Sequence, residues 1–326
     1  MSVTAQYGNR NKENIMLFAL ALIPVIALLV FIYFKDKNEK EPIGLLIGLF
    51  FAGMGSIITA VIIEGIGQLI IDALIYNRAV NVFIFAMIVV GPAEELGKYA
   101  VLRLITWKNK NFNYSYDAIV YAVCASLGFA SIENVGYVFQ NGWGTAILRM
   151  FTAVPGHTCF AVLMGYFYSK AKYASVTNNK GSYAKNQALS LIIPIVGHGL
   201  YDAIIMASGE SEDGIAVLGA LLWIGYVIAL FVLCFIIVLK ASKNDFCIIT
   251  LPESVQTVYK PAAVGTWKCT CGKDNYLNFC AECGKARPLG NTWNCPRCGM
   301  PCTFNFCGNC GSKKPEYAPG PVSASV

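Results

Sequence analysis

Charged residues are scarce in this chain of 326 residues, in which Asp, Glu, Lys and Arg together make up only 13%. Soluble proteins carry about 25%, so the shortage excludes an ordinary soluble globular protein. Hydrophobic residues instead reach 56%. The net charge of +6 does not indicate nucleic-acid binding, because most basic residues lie in short loops between apolar runs. Such a distribution is typical of an oriented membrane protein.

The N-terminal pattern also lacks the features of a cleavable signal peptide. The first apolar stretch, residues 14–34, is followed directly by Lys35-Asp36-Lys37. The apolar region of a signal peptide is only about 7–15 residues long and ends at a cleavage site of small residues. We therefore interpret this stretch as the first membrane span.

Seven apolar segments are long enough to cross a bilayer, for which a helix needs about 20 residues. They lie approximately at 15–34, 43–70, 79–105, 115–139, 145–169, 186–207 and 215–239. The predicted fold is therefore an all-α polytopic membrane helix bundle of about seven transmembrane helices, within residues 1–240. Segment 43–70 contains Glu64, so it is a candidate for tilting, breaking or re-entering the membrane.

The loops between these segments alternate in charge. Lys and Arg are concentrated after the first, third, fifth and seventh segments, whereas only acidic residues follow the sixth. The positive-inside rule predicts a multi-pass protein with its N-terminus outside and its C-terminal tail in the cytosol. Arg10 and Lys12 argue mildly against this orientation but are outnumbered.

Cysteine is concentrated in the polar tail, where nine of the thirteen cysteines lie between residues 269 and 310. Eight of them form two groups of the same design, each with two closely spaced pairs: Cys269, Cys271, Cys280 and Cys283, then Cys295, Cys298, Cys307 and Cys310. Four thiolates in such pairs suit a closed tetrahedral zinc site. A tryptophan precedes each group by two residues, at Trp267 and Trp293, so the tail contains a tandem repeat.

The alternative interpretation of this tail is a set of four disulfides. A cytosolic tail would be reduced, which favours two structural zinc ions over disulfides. We therefore predict tandem zinc ribbons over residues 267–312, preceded by a tether at 241–266 and followed by a disordered tail at 313–326. Cys302 is left over, either as a spare thiol or as a replacement ligand in the second site.

Ionisable residues inside the predicted spans are the strongest functional signal, because each costs several kcal/mol in a bilayer. They fall on four separate segments: Glu94, Glu95 and Lys98 on the third, Glu133 on the fourth, His157 on the fifth, and His198 with Asp202 on the sixth. Lys98 is placed to pair with either glutamate, and His198 and Asp202 share a helix face at a separation of four residues.

This set of residues has two chemical interpretations and a structural one. Glu95, His157 and His198 are candidate ligands for a divalent metal that activates water. The same groups are also suited to acid–base chemistry without a metal. Structural ion pairing is the plain alternative and suits Lys98 best. It explains the whole set poorly, because four spans would each carry a costly residue at similar depth.

Together these residues resemble the pattern of the PrsW family of intramembrane proteases, which is related to the CAAX prenyl endopeptidases and the bacteriocin-immunity proteases. The matching elements are Glu94-Glu95-x-x-Lys98, Phe129-x-x-x-Glu133-Asn134, the mid-span His157, and His198-x-x-x-Asp202. They occur in this order, and the resemblance extends over about residues 35–205. Prenyl endopeptidases carry histidine where this chain has Glu133, which makes CAAX processing a poor expectation.

The resemblance implies peptide hydrolysis in or at the membrane, on a membrane-anchored substrate such as an anti-sigma factor. In this interpretation Glu95 or Glu94 is the general base, and His157, His198 and Glu133 bind a metal or polarise water. Asp202 orients His198, while Lys98, Phe129 and Asn134 support the site. Adjacent helix positions point about 100° apart, so only one of the two glutamates is expected to face the water.

Two other functions fit parts of the sequence. A proton-coupled transporter also uses buried Glu, His and Asp, but the repeats common in transporters are not evident. A non-catalytic receptor or scaffold would act through its zinc ribbons. The expected partners are membrane lipid, a membrane-anchored substrate and a cytosolic protein bound by the ribbons, with no nucleic acid.

Overall fold

The computed structural model of the chain describes residues 3–248 and short pieces of the tail at 267–268, 271–272, 274–275, 293–294, 301–302, 306 and 313. The chain divides into two compact units, Met1–Thr250 and Leu251–Val326. The first unit holds every helix of the described residues. The multi-pass α-helical architecture predicted from the sequence is confirmed.

Eight α-helices and one π-helical turn follow one another in the first unit. They are α1 (Val3–Lys35), α2 (Ile43–Leu74), α3 (Arg78–Phe85), the π-helical turn (Ala86–Val90), α4 (Gly91–Thr106), α5 (Asp117–Phe151), α6 (Ala153–Val176), α7 (Lys180–Gly209) and α8 (Asp213–Lys243). Six helical stretches of the described residues are long and apolar enough to cross a membrane, and α3 continues through the π-helical turn into α4 as one of them.

The fourth of these stretches, Asp117–Val176, is 60 residues long and contains both α5 and α6. The two helices run antiparallel, because Gly165 of α6 lies against Ala118 of α5 while the Ser126 hydroxyl donates to the His157 carbonyl at 3.0 Å. The predicted segments 115–139 and 145–169 therefore correspond to these two helices. The boundary predicted at residue 145 is wrong, since α5 continues to Phe151.

The wrong boundary has a local cause at Gly142. Its φ of 76° and ψ of −157° lie outside the helical region and suit glycine, so α5 changes direction there. The apolar residues that follow form a second helical part of α5 before α6 begins at Ala153. Apolar composition alone cannot distinguish such a break from a loop between spans.

The α5–α6 pair forms the centre of the bundle. In the most apolar stretch of this pair, 83% is buried in protein. The corresponding share is 22% for α2 and 28% for α1 and α8. Helices α1, α2 and α8 thus present most of their apolar surface outward, as lipid-facing helices do. The core cluster is built mainly from α5 and α6, with Tyr121, Leu127, Phe160 and Tyr168 among its fully buried side chains.

Close packing brings the start of α4 against the middle of α7. A Cβ atom added at Gly91 would lie 2.8 Å from the Ile195 carbonyl oxygen, and one at Gly199 would lie 3.1 Å from the Met87 Cα. Only glycine permits this approach. The π-helical turn immediately before Gly91 is of a kind that often accompanies functional sites, and here it precedes Glu94 and Glu95 directly.

The described pieces of the tail preserve the tandem repeat. Two-residue strands β1 (Trp267–Lys268) and β2 (Asp274–Asn275) pair antiparallel, as do β3 (Trp293–Asn294) and β4 (Pro301–Cys302). Of the predicted zinc ligands, only Cys271 lies within the described residues; Cys269, Cys280, Cys283, Cys295, Cys298, Cys307 and Cys310 lie outside them. The two zinc ribbons stay a prediction.

The first residues of the predicted tether, 241–266, lie in helix α8. Helix α8 ends at Lys243, and the next residues lie along the loop before α5, where the Ser115 amide donates to the Phe246 carbonyl at 2.9 Å and the Ile248 amide donates to the Asn113 carbonyl at 2.6 Å. Ile248 is fully buried. Residues 241–248 therefore belong to the membrane unit, and residues 249–266 lie outside the described part.

Candidate active site

Three helices bring four ionisable residues of the spans together. Glu94 and Glu95 lie near the start of α4, His157 near the start of α6 and His198 in the middle of α7. One ligand atom from each of these four residues lies within 4.8 Å of the others, and all four are buried. The cluster anticipated from the sequence, including all three candidate metal ligands, therefore forms.

Lys98 lies at the centre of this group. Its Nζ is 2.9 Å from Glu94 Oε2, 2.8 Å from Glu95 Oε1 and 3.1 Å from His157 Nδ1. The same ammonium lies 4.2 Å from the centre of the Phe129 ring, a cation–π contact. Lys98 thus pairs with both glutamates at once, where the sequence left the choice between them open.

His198 is held between two carboxylates. Its Nδ1 is 2.9 Å from Glu95 Oε1 and its Nε2 is 3.3 Å from Asp202 Oδ2. Phe160 stacks on the imidazole with ring centres 4.8 Å apart. Asp202 reaches His198 from the next turn of the same helix, as their spacing indicated.

His157 has a similar arrangement with a different acid. Its Nε2 lies 2.7 Å from Glu133 Oε2, and that oxygen is also 2.9 Å from Arg149 Nη2. In both histidines, then, Nε2 faces an outer carboxylate and Nδ1 faces the central group. A carboxylate on the outer nitrogen is the usual support for a metal-binding histidine.

Asn134 supports the site through its contacts with Ala21 and Arg149. Its side-chain amide donates to the Ala21 carbonyl at 2.9 Å, and its oxygen accepts from Arg149 Nε at 2.8 Å. The bond from Asn134 to Ala21 thus holds α5 against α1. Asn134 positions Arg149, which in turn contacts Glu133.

A cavity of about 670 Å³ opens onto the cluster. Its wall includes Glu64, Glu94, Glu133, Arg149 and Asp202. Glu95 is not part of this wall and is fully buried. The two adjacent glutamates therefore differ in their surroundings, since Glu94 faces the cavity while Glu95 faces Lys98 and His198.

Sequence reasoning missed two residues of this site. One is Arg149, which interrupts the apolar segment 145–169, where an isolated charge is a functional signal. Glu64 was left unassigned; it lines the cavity, and its Oε1 is buried without a hydrogen-bond partner. Burial of Glu64 depends on how α2 packs, which its sequence does not reveal.

The central group fits a divalent metal of the zinc type. Two imidazoles and two carboxylates are ordinary zinc ligands, and Oε2 of Glu95 is buried with no hydrogen-bond partner. The Lys98 ammonium contacts three of the four candidate ligand residues, so an ion held by all four would compete with it.

Comparison with known proteins gives a consistent picture. The sequence model of the PrsW family intramembrane metalloproteases matches residues 41–238. The chain is 35% identical over 208 residues to "Protease PrsW" of Oceanobacillus iheyensis, covering 64% of this chain and 91% of that protein. It is 31% identical over 191 residues to "Protease PrsW" of Geobacillus kaustophilus, covering 59% and 80%. No solved structure matches the chain.

A third relative, "Protease PrsW" of Bacillus subtilis, is 30% identical over 191 residues, covering 59% of this chain and 83% of that protein. The family match contains every residue of the central group. It ends at residue 238, before the cysteine-rich tail.

Proposed function

The chain belongs to the PrsW family of intramembrane metalloproteases, and we propose that Glu94, Glu95, His157 and His198 form its hydrolytic centre. The observation that carries this proposal is the convergence of these four buried side chains within 4.8 Å, beside a cavity that Glu94 lines. The cavity supplies room for a peptide segment and water next to the charged group.

Glu94 is the general base in this proposal. It faces the cavity, whereas Glu95 is enclosed by Lys98 and His198. Glu94 accepts a proton from water as the water oxygen attacks the carbonyl carbon of the scissile peptide. It then delivers that proton to the leaving nitrogen, so that the C–N bond breaks to a carboxylate and an amine.

The remaining residues position the reacting groups. Glu95 and Asp202 hold the two nitrogens of His198, while Glu133 and Lys98 hold those of His157. A rigid arrangement of this kind lowers the barrier by fixing the geometry before reaction. Arg149 keeps the Glu133 carboxylate in place.

A metal ion fits this centre with Glu95, His157 and His198 as its holders, which leaves the Glu94 carboxylate free to act as the base. When bound, a zinc ion would lower the pKa of coordinated water and polarise the peptide carbonyl. The inward-facing nitrogen of each histidine is Nδ1, and each outer Nε2 lies against a carboxylate. This orientation of the two imidazole rings suits metal binding, because the outer carboxylate fixes the histidine tautomer.

The substrate in this proposal is a membrane-anchored protein, such as an anti-sigma factor or another regulator. A cleavage site reached through a cavity between membrane helices requires an extended segment that lies in or beside the bilayer. The tail, if it forms two cytosolic zinc ribbons, would recruit a cytosolic protein partner. The N-terminus would then lie outside, as the charge distribution of the loops predicts.

The proposal is tested by identifying new protein N-termini in membranes of cells that express the full chain. Wild type should produce N-termini within or next to transmembrane segments of other proteins, and Glu94→Gln and His198→Ala should abolish them. Glu212→Gln is the matched control, because Glu212 is exposed and lies at the start of α8 without a side-chain capping bond.

Equal sets of N-termini in wild type and Glu94→Gln would reject the proposed centre. Loss of the products in Glu212→Gln as well would show that the readout reports expression and not catalysis. Proton-dependent solute flux that survives Glu94→Gln, without proteolysis in wild type, would favour the transporter interpretation.

A further inference from the structure

A second group of buried acids lies far from the hydrolytic centre, where the connection between α1 and α2 meets the start of α5. Asp36 and Glu41 stand at the two ends of that connection, and Asp117 is the first residue of α5. They are 1%, 3% and 0% exposed. One carboxylate oxygen from each lies within 4.8 Å of the other two. We call these three residues the carboxylate cluster.

The cluster is distinct from the hydrolytic centre. Asp117 and Glu133 both lie on α5, and the helix between them spans about 24 Å at its usual rise per residue. Different segments build the two groups, since the cluster uses the α1–α2 connection. An effect measured at one group can therefore be separated from an effect at the other.

Part of the bonding capacity of the cluster is used. The Tyr121 hydroxyl donates to Glu41 Oε2. The backbone amides of Asn113 and Tyr114 donate to Asp117 Oδ2 at 3.0 and 2.7 Å. These bonds hold Glu41 and Asp117 in fixed positions, but they are made by neutral groups and leave the charge of the carboxylates uncompensated.

The other atoms of the cluster are buried without a partner. Both carboxylate oxygens of Asp36, and Oδ1 of Asp117, have no hydrogen bond of normal geometry. The Tyr116 hydroxyl is likewise unpartnered, and Tyr116 is 0% exposed. Burial is the largest cause that raises the pKa of this hydroxyl, and the charge of Asp36 raises it further. Tyr116 therefore lies beside the cluster. Buried polar groups without partners are rare and indicate a missing ion or water.

Among residues 13–248, no positively charged side chain forms an ion pair with the carboxylate cluster. The nearest candidate, Lys40, instead donates to the backbone carbonyls of Tyr33, at 2.5 Å, and of Asp36. Three buried carboxylates without a direct ion pair are strongly unfavourable, and Lys40 acts on the Asp36 carboxylate only through the field of its charge.

We propose that Asp36, Glu41 and Asp117 bind a hard divalent cation of the Mg²⁺ and Ca²⁺ class. The donors are oxygen atoms alone, which these ions prefer, whereas zinc sites usually include nitrogen or sulfur. The Tyr116 hydroxyl and water complete the coordination. The site is separate from any metal of the hydrolytic centre and from the zinc expected in the tail.

The electrostatics of the surrounding residues support this assignment. Burial raises the pKa of Asp36 to about 6, against the opposing charge of Lys40. Burial also raises the pKa of Glu41 to about 7, and the charge of Asp36 adds to that rise. Without a cation, the Glu41 carboxyl would therefore be partly protonated at neutral pH, whereas Asp36 would be mostly ionised. A divalent ion removes this penalty by supplying the missing positive charge.

The position of the site suggests what the cation does. Asp245, which follows α8, accepts hydrogen bonds from Asn38, from the Ser115 hydroxyl and from the Tyr116 amide at 2.9, 2.8 and 2.8 Å. The α1–α2 connection, the start of α5 and the exit of α8 therefore meet around the cluster. A bound cation would lock this junction, from which the chain continues toward the cysteine-rich tail.

The test compares cation binding by purified full-length variants in detergent, titrated separately with MgCl₂ and CaCl₂ and followed by calorimetry and by thermal unfolding. Wild type should bind at least one of the two ions, and its Tm should rise by about 5 °C or more at saturation. Asp36→Asn should weaken binding at least tenfold. Because Asp36→Asn removes a buried carboxylate charge, this variant should unfold without added cation at a Tm no lower than that of wild type.

Two controls and a second cluster variant make the result decisive. Asp213→Asn, at an exposed position at the start of α8, should respond as wild type does, and so should His198→Ala. Glu41→Gln serves as the second cluster variant should Asp36→Asn fail to fold. Absence of a cation response in wild type, or an undiminished response in the folded cluster variants, would overturn the proposal and would leave protons as the compensating charge.

Discussion

The Lys98 ammonium lies 3.1 Å from Nδ1 of His157. An ammonium only donates hydrogen bonds, so this nitrogen carries the lone pair, and the proton of a neutral imidazole is on Nε2. That proton is donated to Glu133 at 2.7 Å. Lys98 and Glu133 together therefore fix the tautomer of His157 and direct its lone pair toward the other candidate ligands.

This arrangement makes a spectroscopic prediction. The chain contains only two histidines, so ¹⁵N-histidine labelling of the full protein yields two pairs of ring signals. We expect one histidine, assigned as His157 by its loss in His157→Gln, to show the Nε2-protonated tautomer. Glu133→Gln should change the Nε2 signal of His157 most. A tautomer protonated at Nδ1 would contradict the geometry.

Arg149 should act on the reaction through Glu133. Arg149→Met removes the contact with the Glu133 carboxylate and the bond to Asn134, and such supporting contacts typically contribute about 10–100-fold to activity. We expect kcat to fall within that range with little change in KM, and Arg149→Lys to restore part of the loss. Arg78→Lys, at an exposed position, is the control and should leave both constants unchanged.

The packing of α4 against α7 makes a prediction about stability. Gly91→Ala places a methyl group 2.8 Å from the Ile195 carbonyl oxygen, so α4 and α7 must separate, at a cost of about 1–3 kcal/mol. The same separation lengthens the contact between Glu95 and His198, and activity should fall with stability. Thermal unfolding and proteolysis of one reporter substrate measure the two effects.

Gly225→Ala is the matched control for this variant. No atom lies within 4 Å of a Cβ added at Gly225, and alanine favours a helix over glycine by about 1 kcal/mol. Its Tm should therefore equal or exceed that of wild type. Equal losses in both variants would show that the crossing at Gly91 has no special role.

Much of this site could be predicted from the sequence because charge in an apolar run is so costly. That cost, together with helical spacing, indicated the residues of Glu94-Glu95-x-x-Lys98 and His198-x-x-x-Asp202. The contacts between Lys98 and His157, and between Glu95 and His198, join helices that are distant in sequence. They depend on helix packing, which spacing along one helix does not encode.

Other features of the structure could not be predicted from the sequence, each for a local reason. Helix α5 continues past the non-helical Gly142 and beyond the expected end of its span. Arg149 therefore lies on the same helix as Glu133, which it contacts. The carboxylate cluster was not predicted, because Asp36 and Glu41 lie in a connection between spans, where acidic residues are common and give no signal. Only the folded chain shows that they are buried beside Asp117.

Lys98 makes a further prediction about metal affinity. Its ammonium contacts three of the four candidate ligand residues, so Lys98→Gln removes a competing cation. In the metal-free protein this change leaves two buried carboxylates without their partner, which should cost about 3–5 kcal/mol. Added zinc should restore more stability to the variant than to wild type, because the ion replaces the lost charge.

Titration of zinc against chelator-treated full-length protein, with thermal unfolding as the readout, measures this difference. Lys172→Gln is the control, since Lys172 lies near Trp107 at the end of α4 and away from the hydrolytic centre. A smaller zinc response in Lys98→Gln than in wild type would mean that Lys98 supports metal binding and does not compete with it.

Zinc stoichiometry of the purified full-length chain tests the central claim most directly. If Glu95, His157 and His198 hold a metal, wild type should contain one more zinc ion per chain than His198→Ala, while Glu212→Gln should match wild type. Zinc in the cysteine-rich tail is common to all three proteins and cancels in the comparison. The same zinc content in wild type and in folded His198→Ala would contradict a metal centre built on His198.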